Sequence, residues 1–170
     1  ALCYREIFRH AARVLGEAGH PVVSIHSAPF EFYLAALLRD DWHAIGDLLR
    51  RSADTLARIG ADFCIVPDNV MQHGVHLAEA GSPIPWLTMT NLVAERVALD
   101  QRKTVGVIGT RMVMFGSTYQ THLGMKGVKV IAPASEDGLA IDAIIFHELV
   151  HGQCSPQSRR TIIESLTRLA

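Results

Sequence analysis

Apolar residues recur at helical spacing over residues 2–18, where Cys3, Ile7, Ala11, Val14, Leu15 and Ala18 share one stripe, and Gly19-His20-Pro21 stops the pattern. The period then shortens. Residues 22–26 read as a strand, 30–38 as a short apolar helix, and 42–59 as a long amphipathic helix carrying Leu48, Leu49, Leu56 and Ile59 and closed by Gly60. Residues 63–66 are the next strand, leading through a polar turn into a helix over 69–80. Gly81-Ser82-Pro83 turns the chain into a short strand at 85–88 and a helix at 91–99. The cycle repeats with a strand at 104–108, a tight turn at Gly109-Thr110, a helix to Leu123, and a strand at 128–131. A mostly apolar helix over 137–151 precedes a last helix over 157–169, for which Ser155-Pro156 supplies the cap and first helical position.

Strands alternating with helices predict an α/β fold, its sheets mainly parallel and covered by helices on both faces. A helix ends in DQRK before the second cycle begins, which divides the chain into lobes over residues 1–100 and 101–170. In such folds ligands bind at the carboxyl ends of strands, beside helix N-termini. The stretch FCIVPDNVMQH at 63–73 delivers Asp68 to that place. Asp and Asn are also favoured helix caps, so plain capping is the competing reading for Asp68 and Asn69.

Charge narrows the class of partner. Sixteen basic and seventeen acidic residues, with no long run of either sign, argue against a nucleic-acid backbone or an anionic membrane and leave small molecules or protein. Cys3, Cys64 and Cys154 show no metal or redox spacing and follow no secretory segment, so a reducing cytoplasm is expected, with the thiols as small buried or partly buried residues. No apolar run approaches the roughly twenty residues of a membrane span. The chain starts and stops inside helical patterns, and flanking sequence is expected at both ends.

Two other patterns carry chemistry. HELVH at 147–151 has the HExxH form that presents two imidazoles to zinc with a glutamate as base, and Glu164 could be a third ligand. The extended motif fails, since Cys154 and Gln157 stand where it needs glycine and histidine, and nine histidines make a chance match the plainer reading. Gly106-Val-Ile-Gly109-Thr110 is weak as a dinucleotide fingerprint, with Met112 in place of the third glycine. It is better as an anion-binding turn, or as an ordinary strand-to-helix turn.

The order of these motifs resembles the aspartate/glutamate racemase family, the cofactor-independent amino-acid racemases. The resemblance rests on GADF with the turn Asp68-Asn69, KTVGVIGT followed by Met114 and Tyr119, GVKVIAP, and IDAIIFHELVHG running on to Ser158-Arg159. Phe30 and Trp42, twelve residues apart, also match. The resemblance explains Glu148 and Leu149 without zinc. It implies two similar lobes facing a substrate cleft, and two acid/base residues, usually thiols, on opposite faces of the substrate α-carbon. One removes the α-proton while the other supplies a proton from the far side. A homodimer with no cofactor and no metal is implied as well.

The departures are specific. Asp68 stands at the first acid/base position in place of cysteine, and an aspartate of ordinary pKa, about 4, is a weak base for an amino-acid α-carbon unless burial strengthens it. Asn69 keeps the family residue, whereas Val70 replaces a threonine whose hydroxyl would help bind the substrate carboxylate. Leu37 and Gln153 replace a glutamine and a lysine of the acidic-substrate enzymes, which points away from aspartate and glutamate as substrates. The second acid/base residue is expected beyond Ala170. The resemblance thus makes Asp68 catalytic, and Asn69, Val70, Gly109 and Thr110 the substrate-binding residues for an amino acid or related carboxylate. The alternatives are a homologue that binds or regulates without racemising, and a zinc hydrolase using His147, Glu148 and His151.

Overall fold

The computed structural model describes residues 2–170, which fall into two compact units. The first takes the residues up to Pro67 together with Gly74–Trp86; the second takes Asp68–His73 and Leu87–Ala170.

In the first unit α1 (Leu2–Leu15) buries only Ala11, and α2 (Phe30–Leu37) only Ala36. Helix α3 (Trp42–Arg58) starts at Asp41, whose side chain accepts the Ala44 N–H at 3.0 Å. It ends in a Schellman turn, in which Gly60 takes φ +88° and the Ala61 and Gly60 N–H groups return to Leu56 and Ala57 carbonyls. Ile45, Leu49 and Ala53 face inward from α3. Helix α4 (Gln72–Glu79) crosses it closely enough that a Cβ on Gly74 would lie 2.4 Å from Ile45 Cγ2. Strand β1 (Cys64–Ile65) pairs with β2 (Trp86–Leu87), and the Cys64 N–H donates to the Pro85 carbonyl at 2.8 Å.

The second unit begins its main run with α5 (Met89–Leu99), capped by the Thr88 hydroxyl. Strands β3 (Thr104–Gly106) and β4 (Lys129–Ile131) run parallel, with Val105 opposite Val130. Between them lie α6 (Arg111–Phe115) and α7 (Ser117–Gly124). Helix α8 (Ser135–His147) leads through a 3-10 turn at Leu149–His151 to α9 (Pro156–Leu169). The core sets Ala94, Tyr119, Leu123 and Val128 against Val105, Val113 and Val130. Ser155 and Pro156 cap α9 as the sequence predicts.

The α/β class and the order of elements agree with the sequence, and three segments differ. Residues 22–26 form no strand: a strand is a ladder with a partner, and this segment has the residues without the ladder, leaving Val22 96% exposed. The helix expected through Leu123 divides at Gly116, which is extended (ψ 167°), and a Cβ there would lie 2.2 Å from the Met112 carbonyl oxygen. The helix expected to His151 stops at His147, because Glu148 leaves helical geometry to reach the start of α9. Among the described residues no helix is long and apolar enough to cross a membrane.

Candidate active site

Asp68 is exposed at the turn that follows β1. Its Oδ1 accepts the Val70 N–H at 2.8 Å and the Met71 N–H at 3.1 Å. These two bonds hold 69–71 as a capped turn and delay α4 to Gln72, three residues after the expected start. The capping reading is therefore correct for one carboxylate oxygen.

Gln72 anchors the turn from beneath. It is only 1% exposed; its Nε2 donates to the Asp68 carbonyl at 2.9 Å and its Oε1 accepts the Met89 N–H at 2.9 Å. One buried amide thus ties the candidate acid/base residue to the first turn of α5. A buried amide without such partners would be costly, so its place on the inner side is itself informative.

Asn69 is exposed at its outer side and held at its inner one, where the Tyr119 hydroxyl donates to Oδ1 at 2.5 Å. Val70 is half-buried, and its contribution to the turn is the N–H given to Asp68. Asp68, Asn69 and Val70 therefore form one local group braced by Gln72 and Tyr119.

The Gly109-Thr110 turn is differently arranged. Thr110 precedes α6 without capping it through its side chain, and its buried Oγ1 has no partner among the described residues. The first N–H of α6, on Arg111, donates to Asp142 Oδ1 at 2.7 Å. The donor that an outside anion would use is thus already given to a carboxylate from α8. Among the described residues no hydrogen bond joins this turn to the Asp68-Asn69 turn. Sequence reasoning did not identify Gln72, Tyr119 or Asp142 as site residues. A polar residue four positions after Asp68, directly following the apolar pair Val70-Met71, was the available signal for Gln72.

HELVH is not a helical metal motif here. His147 ends α8 and His151 closes the separate 3-10 turn, so the one-turn spacing on a single helix is lost. The Glu148 carboxylate accepts the Ser155 N–H at 2.6 Å and the Ser158 hydroxyl at 2.5 Å, which holds it below the usual carboxylate range. Among the described residues no group of three or more His, Cys, Asp or Glu could hold a metal ion. Of the cysteines, Cys64 is buried, with its thiol pushed up by desolvation, and Cys3 is half-buried; Cys154 is exposed, against expectation, because it follows the left-handed Gly152 on the outer loop.

A cavity of about 330 Å³ lies within the first unit, lined by Cys3, Tyr33, Leu49, Ser52, Cys64 and Trp86 among others. Its walls are mainly apolar and carry no Asp, Glu, Lys or Arg; the His26 ring bonded to the Ser52 hydroxyl at 3.0 Å is its chief polar feature. An amino-acid zwitterion needs charges or several donors. The Asp68-Asn69 turn meets that need better.

Strand and helix alternation and a parallel strand pair define an α/β protein, and the braced polar turn at a strand end lies where ligands bind in such folds. The sequence pattern of the Asp/Glu/Hydantoin racemase family matches residues 1–170, and the chain belongs to that family. Solved structures agree. A Yersinia pestis protein assigned as an Asp/Glu racemase is 28% identical with a TM-score of 0.89, the match covering 98% of this chain and 73% of that one. An aspartate racemase homologue from Pyrococcus horikoshii is 24% identical with a TM-score of 0.75, covering 89% and 67%. Glutamate racemase from Campylobacter jejuni is 15% identical with a TM-score of 0.56, covering 85% and 54%. The last two speak to the fold alone.

Proposed function

We propose that this chain is a cofactor-independent amino-acid racemase that inverts its substrate by two-sided proton transfer. In this reading Asp68 removes or supplies the proton on one face of the α-carbon through Oδ2, since Oδ1 is engaged by the turn. Asn69 binds the substrate carboxylate through its amide N–H groups, with Val70 shaping the turn and Gly109 and Thr110 completing the carboxylate site. The Thr110 hydroxyl, which has no protein partner among the described residues, is the better donor there than the Arg111 N–H beside Asp142. A second acid/base group beyond Ala170, a homodimer and a cytoplasmic setting belong to the same reading. The observation that carries it, beside family membership, is the braced Asp68-Asn69 turn at the end of β1.

Leu37 and Gln153 offer no charge for a distal carboxylate, which points away from aspartate and glutamate as substrates. The test is exchange of the α-proton in D₂O over a panel of L- and D-amino acids, using protein that includes the flanking sequence. Asp68→Asn is the informative variant, because asparagine caps as well as aspartate and leaves the fold in place. Exchange is expected on an amino acid other than aspartate or glutamate and should fall by about 10²-fold or more in the variant. No exchange on any member of the panel, or full activity in Asp68→Asn, would overturn the proposal. The second reading, a homologue that binds without racemising, draws on Asp68 being exposed and already used as a cap; it predicts binding without exchange.

A further inference from the structure

Tyr119 lies on α7, fifty residues from Asn69 in sequence, and is a member of the second unit's apolar core at 8% exposure. Its ring packs in the cluster with Ala94, Leu123 and Val128, so the place of its hydroxyl is set by core packing rather than by the exposed turn. A buried phenol O–H needs an acceptor. Among the described residues Asn69 Oδ1 is the acceptor it has. That fixes which way the amide faces: with Nδ2 turned inward, the phenol proton would have no partner and the Asn69 carbonyl would face outward. With Oδ1 inward, both amide N–H bonds are left to the exposed side.

We propose that Tyr119 is a positioning residue that aims the Asn69 amide donors at the carboxylate of a bound amino or related acid; this rests on the reading of the Asp68-Asn69 turn as a substrate site. An outward carbonyl would repel that carboxylate, so the orientation decides between binding and rejection. Burial also pushes the phenol up from its ordinary value of 10.0, which keeps it a donor throughout the neutral range.

Tyr119→Phe keeps the ring and removes only the hydroxyl. With the panel amino acid that exchanges best, the variant should raise KM about tenfold with kcat changed much less, since a carboxylate contact is made equally in ground and transition states. Asn69→Ala should do the same. The double variant should match Asn69→Ala alone, because both changes remove one interaction. A Tyr119→Phe protein with lowered stability and unchanged KM, or effects of the two changes that add, would overturn the proposal. The racemase reading fails separately. If the wild-type protein with its flanking sequence binds a panel amino acid by calorimetry without exchanging its proton, racemisation is excluded and Tyr119 is judged by the same comparison on Kd. If it binds no member of the panel, both ideas fall.

Discussion

Gln72 has the clearest single-residue role outside the chemistry itself. Its amide satisfies a carbonyl at Asp68 and an N–H at Met89 inside a site that water does not reach. Replacing it with leucine of similar volume would strand both backbone groups, each of which then bears its desolvation cost. Gln72→Leu should lower stability by about 1–3 kcal/mol for each stranded group in urea unfolding. A shift within about 0.5 kcal/mol, the range of an ordinary surface substitution, would show that the two groups find other partners. Asp68 and Asn69 were legible in the sequence because capping is local, contained in two or three adjacent residues. The braces were not, since Gln72 meets Met89 across 17 positions and Tyr119 meets Asn69 across 50, and no pattern along the chain encodes such meetings. The same holds for Asp142, which reaches the start of α6 from 31 residues away.

At the level of elements, the long periodic helices were the most legible. Helix α3 was read to within one residue, because its apolar stripe and Gly60 stop agree. Short strands were harder: β1 and β2 have two residues each, and residues 22–26 have strand composition without a partner. HELVH misled for a different reason. Its glutamate serves as a clip, accepting from the Ser155 backbone and the Ser158 hydroxyl and thereby joining the end of α8 to the start of α9. The Ser155 N–H, then the Ser158 hydroxyl, hold the Glu148 carboxyl below its ordinary value of 4.5. A carboxyl depressed in the folded state contributes stability that is present above its unfolded value and is lost as pH falls through the folded one. Glu148→Gln should therefore unfold at lower urea than wild type near neutrality. The gap between the two proteins should narrow as pH drops below 4.5 and the wild-type carboxyl takes up its proton. A gap that stays constant from neutral to acid pH would mean that the clip works by shape rather than charge.

For the whole molecule, the division into two units bears on cooperativity. Trp42 and Trp86, the chain's two tryptophans, both belong to the first unit, whereas the circular dichroism of the helices reports on both units. The first unit has a thinly buried edge. Helix α1 sinks only Ala11 and leaves Leu2, Val14 and Leu15 more than 60% exposed, and the 22–26 segment contributes little to a core. Apolar burial is the main term opposing chain entropy, so the first unit should open first. Unfolding followed by tryptophan fluorescence should thus have its midpoint at lower urea than unfolding followed by far-ultraviolet dichroism, a mismatch that a two-state protein does not give. Against this stands the interleaving of the chain, which passes from one unit to the other after Pro67, His73 and Trp86. Each passage is a peptide link through which strain in one unit acts on the other, and the Asp68 turn is the shortest segment so placed. If those links dominate, the two curves will coincide and the molecule unfolds as one; if burial dominates, they separate, and the turn stays with Tyr119 and Gln72 after the tryptophans have reached water.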